Sequence, residues 1–180
     1  MNTKVKLLKD RVLEKIFRKI FEDPSKAHYV RELAVEAGVS PNSVINVVKK
    51  LEKEGLVTRE VKKHIVEIKA NVENYKFITQ KRVFNLASIY SSGIVEFLVK
   101  EYNPKAIALF GSYSRGEDVK GSDIDIAVIT DKTEVGDLAA FEKPLNKKVH
   151  ISLVQYNKIS DEFYTNLING IVLFGYLDKK

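Results

Sequence analysis

The sequence predicts a mixed chain of the α/β (α+β) class divided into two units, and three observations predict it. Apolar residues recur at helical spacing in three segments before residue 55, and two strand-like runs follow them. From residue 105 onward strands and helices alternate, as they do where a sheet is flanked by helices. Charge is also unevenly placed. Residues 1–82 carry 19 Lys/Arg against 11 Asp/Glu, a net of +8, while residues 83–180 carry 11 against 13, a net of −2. A basic half joined to a slightly acidic one implies two units with different partners, and nucleic acid suits the basic one.

The first helix is expected over residues 4–22, where Val5, Leu8, Val12, Ile16, Ile20 and Phe21 share a face and Asp23-Pro24 stops the run. A second runs from His28 to Ala37 and ends at Gly38, where a left-handed residue is wanted. Ser40-Pro41 reads as an N-cap followed by proline at the first helical position. The third helix turns Val44, Val47, Val48 and Leu51 inward and ends near Gly55. Leu56–Val61 and Ile65–Ala70 are strand-like, with Lys62-Lys63-His64 as the tip of a hairpin. Helix, helix, Gly-containing turn, helix, hairpin is the order of a winged helix-turn-helix. The stretches Tyr29–Ala34, Gly38–Val44 and Leu51–Val57 resemble the winged-helix domains of prokaryotic transcription regulators.

That resemblance implies double-stranded DNA as a partner, with the third helix as the reading element. Its outer face offers Asn42, Ser43, Asn46, Lys49, Lys50 and Lys53, and acids enter only at Glu52 and Glu54. Asn and Ser reach base edges, and lysines neutralise phosphates. Lys62 and Lys63 at the wing tip would add backbone contacts. A homodimer on paired half-sites is the usual arrangement for such domains. The bland alternative is a dimerisation or protein-contact module.

The polar stretch 73–83 reads as a linker between a first domain, 1–72, and a second, 84–180. Beyond it lies one long helix, Phe84–Tyr102, interrupted in composition only by Gly93. Then come a strand from Lys105, a Gly-rich turn, a strand Asp123–Thr130, a helix Glu134–Leu145, a strand Lys148–Gln155, a helix Ile159–Asn169 and a last strand Ile171–Tyr176. The absence of cysteine excludes disulfides and thiolate metal sites. No run of 18 apolar residues occurs and the first residues lack the apolar core of a signal peptide. No membrane partner is expected, therefore, and a cytoplasmic location is.

The most informative stretch runs from Phe110 to Val128. Gly111-Ser112 follows the apolar run Ala106–Phe110, and a second apolar strand opens with Asp123 and Asp125. Residues i and i+2 of a strand point the same way, so the two carboxylates stand side by side near a Gly-Ser turn. Like charges that close call for a cation between them, and hard oxygen ligands suit magnesium. Gly-Ser, a short loop, then Ser-Asp-x-Asp resembles the polymerase-β-like nucleotidyltransferase superfamily. The short length points to its minimal members, the kind also seen as antitoxin partners and in aminoglycoside nucleotidyltransferases.

The resemblance covers about residues 85–180 and implies a role for each matching residue. Gly111 and Ser112 would hold the phosphates of a nucleoside triphosphate through N–H and hydroxyl donors. Asp123 and Asp125 would bind one or two magnesium ions. Arg115 would either contact phosphate or be an ordinary surface arginine. Ser122 would orient Asp123 or touch the nucleotide, and Tyr113 would stack on a base or line the loop. The family usually supplies a third carboxylate from the next strand, here Lys148-Val149-His150-Ile151-Ser152-Leu153. By parity Val149, Ile151 and Leu153 face one way and His150 and Ser152 the other, so His150 stands where Asp is expected. Imidazole serves as a base elsewhere, but it removes a negative charge from a metal site. The bland alternative is a half-buried, hydrogen-bonded histidine. Glu142 and Asp137 are the other nearby carboxylates, both on a predicted helix.

Three functions follow from the resemblances. The first is a DNA-binding protein that transfers a nucleoside monophosphate from a triphosphate to a hydroxyl on a small molecule or protein. The second is a transcription regulator whose degenerate nucleotidyltransferase domain only senses nucleotide or contacts a partner. The third is an antitoxin-type nucleotidyltransferase.

Overall fold

The computed structural model describes residues 11–62 and 65–178 and divides into two compact units, one up to Thr79 and one from Gln80. In the first unit, α1 (Arg11–Glu22), α2 (Val30–Ala37) and α3 (Pro41–Lys53) are followed by the strands β2 (Val57–Lys62) and β3 (Ile65–Ala70). Residues 4–10 of the expected first helix lie outside the described residues, as do Lys63 and His64. One strand was not foreseen. His28–Tyr29 forms β1, which pairs antiparallel with β3 at Ile68 and Glu67, so the second helix starts at Val30. The sheet order is β1-β3-β2, and β2 and β3 pair from Val57–Ala70 to Lys62–Ile65.

The turn between α2 and α3 follows from its residues. Gly38 takes φ 61° and donates back to the end of α2. Ser40 accepts from the Ser43 N–H at the start of α3, with Pro41 beside it at the first helical position. Ile16, Ile20, Leu33, Val44, Leu51, Leu56 and Ile68 are buried in the core. Phe17, Phe21 and Phe77 pack there with ring centroids 4.0–6.2 Å apart.

Phe77 belongs to α4 (Tyr75–Ser91), so the polar stretch 73–83, read as a linker, is largely helical. The single helix expected over 84–102 is in fact two. Ser92-Gly93 breaks it, α5 (Ile94–Tyr102) follows, and the two axes bend by 54°. Gly93 sits at φ 77°, in the left-handed region that a residue with a Cβ resists. No single described helix is long and apolar enough to cross a membrane; the bent α4–α5 pair has the length, but Ile89, Ile94 and Leu98 are buried in the core.

The second unit holds a four-stranded mixed sheet in the order β6-β5-β4-β7, from β4 (Ala106–Phe110), β5 (Ile124–Ile129), β6 (Val149–Val154) and β7 (Ile171–Gly175). β4 is antiparallel to both β5 and β7, whereas β5 and β6 run parallel. Parity sorts the side chains. Ile107, Leu109, Ile124, Ile126, Val128, Val149 and Ile151 pack with Ile89, Ile94, Leu98 and Tyr102 in one cluster. Ala106, Ala108, Ala127 and Ile129 pack with Ile159 and Leu167 in the other, under α8 (Asp161–Ile168).

Two short helices differ from expectation. The Gly-rich turn is a five-residue helix, α6 (Gly111–Arg115), and the helix expected from Glu134 is α7 (Ala139–Leu145) alone. Residues 132–138 are irregular, and the Gly136 N–H there donates to the Tyr102 hydroxyl at 2.8 Å.

Candidate functional site

The sheet register assembles the candidate site. β4 ends at Phe110 opposite Asp125, so Gly111 begins α6 beside that carboxylate. Gly111 has φ 72°, and a Cβ built there would lie 2.4 Å from Asp125 Oδ2. Only glycine satisfies both the backbone angle and the close approach. On its other side Asp125 pairs in parallel register with His150, whose Nδ1 lies 3.6 Å from Asp125 Oδ1. Phe110, Asp125 and His150 thus share the sheet face that α8 covers farther along.

Asp123 stands one residue before β5 rather than on it, and its side chain is exposed. It borders an open cleft of about 540 Å³ between Gly121-Ser122 and α7, large enough for a small molecule. Lys148 on the rim of that cleft donates to Glu142 Oε2 at 2.7 Å. The Glu142 hydrogen bond, with Asp123 adding a smaller effect, holds the lysine above its ordinary pKa range. Glu142 also accepts from the Val149 N–H, and those two hydrogen bonds hold its carboxyl below the usual range. Glu142 is therefore committed to the base of β6. Asp137 accepts from the Ala139 N–H, ahead of α7.

Other expected residues are placed as follows. Ser112 is half-buried on α6, and no hydrogen bond from its hydroxyl is found among the described residues. The Arg115 Nε donates to Glu117 Oε2 at 2.7 Å, so its guanidinium already has a carboxylate partner. The Ser122 hydroxyl accepts from the Val119 N–H at 3.0 Å and shapes the turn before Asp123. Tyr113 is buried. The His150 side chain is 69% exposed rather than half-buried, because β6 lies at the edge of the sheet.

Four residues escaped the sequence reading. Asp118, 1% exposed, lies in the loop between α6 and β5. Its carboxylate accepts from Lys81 Nζ at 3.0 Å, from Asn85 Nδ2 at 2.7 Å and from Lys147 Nζ at 3.2 Å. The Lys81 ammonium also donates to the Asp118 carbonyl. Burial of Lys81 pulls its pKa below the ordinary lysine value, against the pull of Asp118. Nothing local in the sequence signals this cluster, since Lys81 is 37 residues from Asp118. In sequence Asp118 reads as a solvated loop residue and Lys81 as part of a polar connector.

In the first unit, Asn42, Asn46, Lys49, Lys50 and Lys53 are exposed on α3. The Ser43 hydroxyl lies 2.9 Å from that of Ser40, so it serves the helix cap. Glu52 is occupied by Arg59 at 3.1 Å, which reduces acidic competition on the outer face of α3. Lys62 ends β2, with its side chain outside the described residues.

These arrangements agree with two family matches. Residues 17–63 match the MarR family, and residues 92–178 match the family described as polymerase beta, nucleotidyltransferase. The chain joins a MarR-type winged helix to a polymerase-β-like nucleotidyltransferase domain. No curated protein matches the chain. The nucleotidyltransferase match takes in α6, β5 and β6, hence Gly111, Asp123, Asp125 and His150, and the MarR match takes in α2, α3 and β2.

Proposed function

We propose that the nucleotidyltransferase domain binds a nucleoside triphosphate with magnesium and transfers its nucleoside monophosphate to a hydroxyl acceptor, while the winged helix binds double-stranded DNA. The observation that supports this best is the abutment of Gly111 on Asp125, since the bend that would hold phosphate then lies against a carboxylate. The donor set suits magnesium. Among the described residues no group of three or more His, Cys, Asp or Glu is arranged to hold a metal alone. Magnesium does not need one, because it takes one or two carboxylates and completes its shell with substrate phosphate and water. Asp123 and Asp125 would hold it, and it would supply charge stabilisation at the α-phosphoryl group.

The chain's own residues would do the rest. The N–H groups at Gly111-Ser112 and the Ser112 hydroxyl would orient the triphosphate. The acceptor oxygen attacks the α-phosphorus, the bond to the bridging oxygen breaks, and pyrophosphate leaves. His150, exposed beside Asp125, would take the acceptor proton.

Incubation with each labelled ribonucleoside triphosphate, Mg²⁺ or Mn²⁺ and candidate acceptors tests this. Transfer that Asp125→Asn abolishes is the expected result. Transfer that survives Asp125→Asn would remove the assignment. The second reading is a nucleotide-sensing regulator, favoured by the histidine in place of a third carboxylate. It predicts DNA affinity that changes with nucleotide and no transfer.

A further inference from the structure

We propose that the buried Lys81–Asp118–Lys147–Asn85 cluster is a positioning device that holds the phosphate-gripping helix α6 and the Asp123-bearing loop in one geometry. It rests on the assignment of Asp123 and Asp125 as the nucleotide–metal site.

Asn85 and Lys147 each touch both α6 and the loop, and Lys81 holds Asp118 in the loop through its carboxylate and its carbonyl. Asn85 Nδ2 donates both to the Tyr113 carbonyl on α6, at 2.9 Å, and to Asp118 in the loop, at 2.7 Å. Lys147 Nζ donates to the carbonyls of Val119 at 2.9 Å and Ser122 at 3.3 Å, the latter adjoining Asp123. The same ammonium lies over the Tyr113 ring, 5.9 Å from its centroid. Lys81 and Asp118 are each 1% exposed, and Lys147 is 11% exposed. A buried ion cluster is a poor source of stability, because desolvation offsets its Coulombic gain and apolar replacements are often as stable. What it provides is direction, since each donor has its acceptor at one place. A largely buried group of two lysines and one aspartate, joined to two parts of one site and reaching its cleft through Lys147, is accounted for by geometry rather than by net stabilisation.

The test uses the full chain, with binding of Mn²⁺ read by electron paramagnetic resonance in the presence of each of the four ribonucleoside triphosphates. Asn85→Ala changes no charge, and Lys147→Gln keeps a donor but loses the ion pair, so a folding failure of one leaves the other. Both are expected to weaken Mn²⁺–nucleotide binding by about 10-fold or more, the usual effect of losing an outer support of a metal ligand. Two controls are expected to stay within about 2-fold: Lys120→Gln, a charge lost from an exposed position of the same loop, and Ile89→Val, a small loss of core packing. If the variants bind as tightly as the parent, or no more weakly than the controls, positioning is overturned. Absence of binding by the parent chain would instead overturn the site assignment, and with it this proposal.

Discussion

At the scale of the residue, Gly111 and Gly121 form a natural comparison. Both have positive φ, 72° and 86°, but a Cβ at Gly121 meets nothing within 4 Å whereas one at Gly111 strikes the Asp125 carboxylate. Gly121→Ala is expected to cost only backbone strain, about 1–2 kcal/mol. Gly111→Ala adds displacement of Asp125 to a similar strain. Chemical denaturation should therefore show Gly111→Ala as the less stable variant, and calorimetry with Mg²⁺ and triphosphate should show that it alone loses binding. Equal nucleotide affinity in the two variants would contradict the abutment as a functional contact. Sequence reasoning could pair Gly-Ser with Asp-x-Asp from their order along the chain. It could not give the distance between them, which is set by the pairing of Phe110 with Asp125.

At the scale of the element, the break at Gly93 shows a local rule deciding a tertiary feature. Apolar periodicity continues from Leu86 through Leu98, so pattern alone supports one helix. A left-handed glycine ends α4 and turns α5 so that Ile94 and Leu98 join Ile89 in the same cluster. Nothing lies within 4 Å of a Cβ built at Gly93. Gly93→Ala should thus cost about 1–2 kcal/mol through the backbone angle alone, read as a lower denaturation midpoint with unchanged slope. A variant as stable as the parent would mean that the helix pair tolerates a straighter path. The strand β1 is the converse case. Two residues carry no periodic signal, and His28–Tyr29 becomes a strand only because β3 offers an edge to pair with.

At the scale of the whole molecule, charge is distributed unevenly between the two domains. The excess of basic residues lies in the first 82 residues, where the exposed face of α3 carries Lys49, Lys50 and Lys53. DNA binding by the full chain should weaken with salt, by about 0.9 log units of affinity per log unit of salt for each phosphate neutralised. Replacing Lys49 and Lys50 by Glu should abolish binding in a mobility-shift titration and leave Mn²⁺–nucleotide binding intact. Affinity that persists unchanged would refute docking through α3. Loss of nucleotide binding in the same variant would show that the two activities are not separable.

The sequence by itself determined the two-unit α/β (α+β) class, the winged-helix order of elements and the candidate pair Asp123 and Asp125. Those follow from local quantities: apolar period, turn residues and the spacing of a short motif. Tertiary structure alone decided which groups meet. It placed His150 beside Asp125 through a parallel register, and gave Arg115 and Glu142 to neighbouring charges. It also buried Asp118 among Lys81, Asn85 and Lys147. Contacts between residues far apart in the chain leave no periodicity or spacing behind, because they exist only once the sheet and its helices have closed around them.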